Sequence, residues 1–404
     1  MPHYPYLIVG GGMTAAAAIQ GIREVNPRDP IGVVGMESER PYARPPLSKG
    51  LWKDESLESI WSKTSDHGVE LHLGRAIRDL DPRNKRAIDD QGTEYTFDKC
   101  LLATGGTPRR LAFGGDHVIY FRTLDDYRRL RALAGHGQRF AVIGGGFIGA
   151  EVAAALAMNR KDVTLIFPDD GIGARLFPPD LAQFLVDFYR QKNVDVLAPA
   201  SVVDVAERGQ QFAVTVRDRA TSHERVLVVD GVVAGIGILP NSELAQRAGL
   251  AVENGIVVDE FLHASHPDVY AAGDVAAYSS PALGKRIRVE HEDNANTMGR
   301  AAGCSMAGQT EPYHHLSFFY SDLFELGYEA VGEVDSRLET VADWKEPNRE
   351  GVVYYLRAGR VRGVLLWNVW KQVDAARRLI AEPGPIREAD LKGRLPEAHD
   401  ISPK

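Results

Sequence analysis

Cysteine is nearly absent from this chain of 404 residues: Cys100 and Cys304 are the only two. They stand far apart and form no Cys-x-x-Cys pair. Neither a redox dithiol nor a thiolate metal site is visible, and no metal is expected. Two inert thiols in a reduced, cytoplasmic setting are the expectation. A basic balance is missing too. The formal net charge is −8, which argues against a nucleic-acid partner, since such binding draws on a cationic surface. No apolar run approaches the roughly 18 residues of a membrane span. A strand signal begins almost at the first residue, so no signal or transit peptide is expected. Low-complexity segments are lacking. Composition is that of a globular protein, 44% hydrophobic and 25% charged, and the length allows two or three domains with their own cores.

Two glycine fingerprints are present. Gly10-Gly11-Gly12-Met13-Thr14-Ala15 follows the apolar run Tyr6-Leu7-Ile8-Val9. Gly144-Gly145-Gly146-Phe147-Ile148-Gly149 follows Phe140-Ala141-Val142-Ile143. An alanine-rich stretch that reads as helix comes after each. This is the strand–turn–helix setting of a dinucleotide site. Glycine serves where the turn is tight and where backbone must approach a pyrophosphate. The helix N-terminus then offers free N–H groups and partial positive charge. Two such units predict two dinucleotides on one polypeptide, with electrons passing between them.

The first unit reads as strand 6–9, helix 13–24 and strand 31–34. Glu37 lies just beyond, where a carboxylate accepts from the adenosine ribose; Glu39 is the second candidate, and an exposed loop acid the plain alternative. Pro41, Pro45 and Pro46 exclude helix from the next stretch. A loop so stiffened holds Arg44 and Lys49 ready for a phosphate or flavin, or is simply a rigid surface loop. Apolar segments near 69–73 and 86–102 read as strands. They lead into Ala103-Thr104-Gly105-Gly106-Thr107-Pro108, either a sharp turn beside a cofactor or an ordinary loop exit. In the second unit strand 140–143, a helix to about 158 and strand 163–167 precede Asp169 and Asp170. A carboxylate there favours NADH over NADPH, with Arg175 close enough to count against it. Val232–Asn241, with Gly237, repeats the strand–glycine–proline exit. Val269–Val275 reads as a strand ending in Gly273-Asp274 before a helix, so Asp274 is either an N-cap or a ligand to a cofactor hydroxyl. Beyond residue 310 four segments read as antiparallel strands, at 316–320, 328–332, 352–356 and 361–367. A helix near 370–381 follows, then a loosely attached tail from about Glu382.

The order of these motifs resembles the two-dinucleotide-binding flavoproteins, the pyridine nucleotide-disulfide oxidoreductase fold. Ala-Gly-Asp at 272–274, Arg-Pro-Pro-Leu-Ser-Lys at 44–49 and Gly-x-x-Pro-Asn at 237–241 carry the likeness. Lys99–Arg109, Arg288–His291, Ser321–Leu323, Gly327–Ala330 and Val364–Asn368 make it closer to ferredoxin and rubredoxin reductases and to apoptosis-inducing factor. The resemblance implies an α/β fold with two Rossmann-like dinucleotide-binding domains and a C-terminal α+β domain with an antiparallel sheet. Residues 1–112 and 240–310 would bind FAD, 113–239 would bind NAD, and 311–404 would form the C-terminal domain. Gly10, Gly12, Thr14 and Ala15 would hold the FAD pyrophosphate and Glu37 its ribose. Arg44, Lys49, Thr104, Gly105, Arg109, Gly273, Asp274, Glu290 and His291 would line the rest of the FAD site. Gly144, Gly146, Phe147, Ile148, Gly149, Glu151, Asp169 and Gly237 would hold NADH. Lys49, paired with Glu151, would stand near flavin N5, Phe147 would cover the flavin, and Trp367 would lie against it. The Lys–Glu pair has a purely structural alternative. Met36 and Tyr320 depart from the pattern, at positions where relatives carry an acid and a tryptophan. The implied activity is an NADH oxidoreductase passing electrons to a ferredoxin, a rubredoxin-like protein or a quinone. The second implied reading is an NADH-gated redox switch that forms a homodimer on reduction. Nothing in this acidic chain supports an apoptotic, DNA-binding role.

Overall fold

The computed structural model describes residues 1–64 and 68–395. The chain divides into two compact units. One comprises residues 1–44, 56–107 and 239–318; the other comprises 45–55, 108–238 and 319–404.

The first unit is built on a sheet whose order is Val69–Leu73, Ile31–Gly35, His3–Val9, Glu94–Leu102, Arg86–Asp89, Ile77–Asp81, with Val269–Ala271 also paired to Glu94–Leu102. The four pairings around His3–Val9 and Glu94–Leu102 are parallel. Leu7, Ile8, Val33, Leu101 and Val269 are fully buried there. Such continuous apolar runs are what a sheet covered on both faces demands. Helix Met13–Val25 packs on helix Glu292–Met306 at backbone distance. A Cβ on Gly21, Gly299 or Gly303 would stand 2.1, 2.5 and 2.1 Å from carbonyl oxygens of the opposite helix. Only glycine permits that approach, and it fixes the helix that carries the first fingerprint.

In the second unit a parallel sheet runs in the order Val194–Leu197, Asp162–Ile166, Arg139–Ile143, Gly231–Ala234, Val118–Tyr120. Helix Phe147–Met158 starts directly after the second fingerprint. An antiparallel sheet of Ala200–Arg208, Gln211–Asp218 and Glu224–Val229 is added to it. The C-terminal sheet orders Phe318–Leu323, Leu326–Gly332, Arg360–Trp367, Glu350–Arg357, Glu339–Glu346. Helix Val373–Ala381 buries Ala376, Leu379 and Ile380. The mixed α/β class with a C-terminal antiparallel sheet is therefore as expected.

Two local expectations fail. Gly273–Val275 is a single 3₁₀ turn followed by strand Ala276–Ser280, so Asp274 caps no helix. The tail is not loose as far as residue 395. The Ile386 N–H donates to Gly359 at 2.7 Å, the Gly393 N–H donates to Asp343 Oδ2 at 2.7 Å, and Leu391 is fully buried. Residues 396–404 of that stretch lie outside the described residues.

Candidate functional site

Each fingerprint ends in a helix whose N-terminus is left open. Gly12 and Gly146 are the N-caps, neither helix has a side-chain cap, and neither has an acid in its first turn. The glycines within each fingerprint divide into two kinds. Gly10 (φ +122°) and Gly144 (φ +115°) need glycine for internal reasons: a Cβ would meet Ala103 O at 2.1 Å and Gly235 O at 2.3 Å. Gly12 and Gly146 lack any such reason. Their φ values, −93° and −87°, suit any residue. A Cβ on Gly146 would meet nothing within 4 Å, and one on Gly12 only Arg44 Nη2 at 3.9 Å. Bare backbone facing open space at an uncapped helix start fits an external anion that must come close.

In the first unit Glu37 accepts from Arg44 Nη2 and from Tyr42 Oη, each at 2.5 Å. Burial opposes the Arg44 charge, but Glu37, Tyr42 and Asp274 outweigh it and hold the guanidinium above its ordinary range. Gly273 (φ +77°) presses on Thr14: a Cβ there would reach Thr14 Oγ1 at 2.2 Å. This contact brings the Asp274 turn to the first fingerprint. Asp274 is buried, and its carbonyl accepts from Arg288 Nη1 at 3.0 Å. The same nitrogen pairs with Glu290 at 2.6 Å. His291 is part-buried; burial pushes its imidazole down to about 4, against the pull of Asp274 and Asp293. The Thr104 hydroxyl donates to Asn241 O at 2.7 Å, and Gly105 O accepts the Asn241 N–H at 2.9 Å. Gly10, Gly12, Thr14, Ala15, Glu37, Arg44, Gly273, Asp274 and His291 thus form one connected neighbourhood. Tyr42 and Arg288, which hold its charged groups, were not among the expected site residues, though Arg288 stands inside a stretch that carries the resemblance.

In the second unit Glu151 is 3% exposed and surrounded by donors. Lys49 Nζ and Ser321 Oγ both lie 2.6 Å from its Oε1, and Ser48 Oγ lies 2.6 Å from Oε2. A buried carboxylate held by three donors is a fixed anchor. Lys49 also sits 5.2 Å above the Tyr320 ring. The chain reaches this point through Pro45–Leu47 and Gly50–Trp52, two 3₁₀ turns. Trp52 Nε1 donates to Leu47 O at 2.8 Å, and Asn159 Nδ2 donates to Trp52 O at 3.1 Å. Lys49 is therefore rooted on the second fingerprint's helix. Phe147, part-buried, meets Phe319 edge-on at 5.3 Å. Arg109 N–H donates to Gly237 O at 2.9 Å, and Gly237 has φ +95°. Gly149 packs on the Gly144 carbonyl, and Ile148 on Gly235.

Trp367 departs from its expected place. It is fully buried, stacked on Tyr328 at 5.6 Å, edge-on to Phe177 at 5.5 Å, and its indole N–H donates to Asn348 O at 3.0 Å. A side chain with no accessible surface touches no cofactor, so Trp367 is a core residue. The aromatic beside Lys49 is Tyr320. Ser48 and Ser321 were also missed as donors, though both stand inside recognisable motifs.

Asp169 and Asp170 line a cavity of about 970 Å³ in the second unit, shared with Arg175, Arg219, Ser336 and Arg337. Arg175 Nε lies 3.6 Å from Asp169. Among the described residues no cluster of three or more His, Cys, Asp or Glu side chains has metal-binding geometry. No helix among them is long and apolar enough to cross a membrane.

Residues 4–299 match the family described as pyridine nucleotide-disulphide oxidoreductase. The chain belongs to that family. Residues 302–350 and 343–382 match the C-terminal region of apoptosis-inducing factor. The 5,5'-dehydrodivanillate O-demethylase ferredoxin reductase subunit of a Sphingobium species is 35% identical over 394 residues, 95% of this chain and 94% of that protein. Apoptosis-inducing factor 1, mitochondrial, of Dictyostelium discoideum is 33% identical, covering 95% of this chain and 80% of that one. The structure of the covalent putidaredoxin reductase–putidaredoxin complex superposes with a TM-score of 0.88 at 28% identity, over 96% of this chain and 95% of that one. As a member of the family the chain is an oxidoreductase for a flavin and a pyridine nucleotide. The two open glycine cradles fit that pair of ligands.

Proposed function

We propose that the chain holds FAD on residues 1–112 and 240–310 and NADH on 113–239. Residues 311–404 form its C-terminal domain, and the protein passes electrons from NADH to a small ferredoxin-type protein. The observation that carries this reading is the pair of uncapped helix starts whose glycines, Gly12 and Gly146, face open space. FAD, when bound, would supply the chemistry of accepting hydride from the reduced nicotinamide and releasing electrons singly. The chain's own groups supply position and charge. Gly10, Gly12, Thr14 and Ala15 present N–H groups and helix charge to one pyrophosphate, and Gly144, Gly146, Ile148 and Gly149 do so for the other. Arg44, held by Glu37, adds a fixed cation to the first. Asp274 accepts from a cofactor hydroxyl, and His291 with Glu290 lines the same site. Lys49, oriented by Glu151, stabilises negative charge as it accumulates on reduction; the resemblance assigns it to the flavin N5 edge. Phe147, as the resemblance implies, would cover the flavin ring on the nicotinamide side. Asp169 accepts from the adenosine ribose of NADH, whose 2′-hydroxyl it prefers to a phosphate.

The cysteines support direct electron exit. Burial pushes the Cys100 thiol well above its usual range and also raises Cys304. Such thiols are poor nucleophiles. The names of the relatives bear on the acceptor: several act as ferredoxin reductases. The test is anaerobic rapid mixing of the flavin-loaded protein with NADH, then with oxidised ferredoxin. Fast bleaching and fast recovery support the reading. A reduced state that survives both ferredoxin and air refutes turnover and favours the NADH-gated switch, whose homodimer light scattering would detect. Recovery with a quinone alone would redirect the acceptor.

A further inference from the structure

The cavity beside Asp169 has a wall the fingerprints do not predict. Asp169, Asp170, Ala174 and Arg175 come from the loop after strand Asp162–Ile166, the place of the ribose acid. Arg219 comes from the turn between Gln211–Asp218 and Glu224–Val229. The third wall is the turn 334–337, following strand Leu326–Gly332. These parts are fixed to one another. The Ser336 N–H donates to Arg175 O at 3.1 Å, and the Gly173 N–H donates to Gly145 O at 2.8 Å. Arg337 forks onto Asp335, Nε to Oδ1 at 2.9 Å and Nη2 to Oδ2 at 2.5 Å. Arg219 gives Nη1 to Pro168 O at 2.8 Å.

We propose that the turn 334–337 completes the adenosine end of the dinucleotide site, where Arg219 and Arg337 read the 2′ position of the ribose. This rests on the reading that residues 113–239 bind NADH, and it deepens that reading. An isolated carboxylate at Asp169 would repel a 2′-phosphate. Here Asp169, Asp170 and Asp335 are matched by Arg175, Arg219 and Arg337 around the same cavity, and Arg175 already faces Asp169. With the Arg337 fork held by Asp335, its Nη1 and the Arg219 guanidinium are the groups that suit a phosphate oxygen. The balance leaves NADH preferred and NADPH accepted.

The flavin-loaded full chain is assayed for kcat/KM with NADH and with NADPH, as wild type, Arg219→Ala, Arg337→Ala, Arg337→Glu and Arg217→Ala. Arg217 is on the same hairpin, pairs with Glu224, and is not among the cavity residues, so it controls for net charge. Arg219→Ala and Arg337→Ala should each lower the NADPH value by about tenfold while the NADH value moves by under about twofold. Arg337→Glu should lower NADPH further, and Arg217→Ala should leave the ratio unchanged. A ratio unmoved by the two alanine variants, or moved equally by Arg217→Ala, overturns the inference. Failure of NADH itself to reduce the wild type overturns the functional reading and this inference with it.

Discussion

Replacing Glu151 with Gln tests whether the Lys49 cluster is an electrostatic device or a packing detail. The wild-type carboxylate receives Lys49, Ser48 and Ser321, all at 2.6 Å, and is 3% exposed. The amide keeps the shape and loses the charge. Stranding one partner of a buried ion pair costs about 3–5 kcal/mol. Lys49 is not wholly stranded, because its side chain is 13% exposed and Tyr320 lies beneath it. A cation–π contact returns about 0.5–1 kcal/mol. The expected loss is therefore about 2–4 kcal/mol. The double variant Lys49→Met/Glu151→Gln removes both charges and should be less destabilised than the two single losses added together, by about 2 kcal/mol. Urea unfolding of the four proteins, read at constant slope, gives this coupling. Flavin reduction by NADH should fall about a hundredfold in Lys49→Met, since that variant loses the preorganised cation. Additive losses within about 0.5 kcal/mol would refute the coupled pair. An unchanged reduction rate in Lys49→Met would refute its role in the chemistry.

Five further outcomes follow from the geometry. Gly146→Ala adds a Cβ to open space at an ordinary φ, so folding should be intact while NADH affinity drops at least about tenfold, measured by titration. Gly10→Ala, with a Cβ 2.1 Å from Ala103 O and φ +122°, should cost more than about 2 kcal/mol in urea. His291 is held at about 4 by burial against an ordinary 6.5. Between those values the unfolded chain binds more protons, so this contribution to stability is full above about 6.5 and lost as pH falls toward about 4. NMR of the flavin-free protein should show no His291 titration above pH ~5, and a midpoint near 6.5 would contradict its burial. Trp367→Phe should lower the unfolding midpoint without altering the flavin spectrum, whereas Tyr320→Ala should alter that spectrum. Replacing Cys100 and Cys304 with Ala should leave NADH oxidation intact, and lost activity would revive a thiol mechanism.

The two fingerprint units were legible because their signals are local. An apolar strand, a glycine turn and an alanine-rich helix follow one another within about twenty residues. Helix Met13–Val25 and helix Phe147–Met158 accordingly lie where the pattern puts them. What escaped depends on partners distant in sequence. Strand Glu339–Glu346 carries Glu339, Asp343, Lys345 and Glu346, buries only Val341, and lies at a sheet edge, so it lacks the apolar alternation that announces a strand. The Asp274 turn is bent by Gly273 against Thr14, a residue from the other end of the first unit. The helix expected there gives way to a tertiary contact.

The exchange of Trp367 for Tyr320 shows most clearly where sequence reasoning stops. Both are aromatics on strands of the same sheet, and the resemblance assigns Trp367 to the flavin while Tyr320 departs from its motif. Which one is buried depends on strand parity, because successive side chains point to opposite faces. Phe318-Phe319-Tyr320-Ser321-Asp322-Leu323 begins with three aromatics, so its parity is ambiguous as written. In the structure Phe319, Ser321 and Leu323 are buried and Phe318, Tyr320 and Asp322 are partly open. Trp367 pairs in register with both Tyr328 and Gly351. The Tyr328 ring stacks flat on the indole and Phe177 meets it edge-on. Its burial is thus a property of the neighbouring strands. Lys49 meets Tyr320 for a comparable reason: Trp52 and Asn159 tie its loop to the second fingerprint's helix, a tie that no local pattern in the loop discloses.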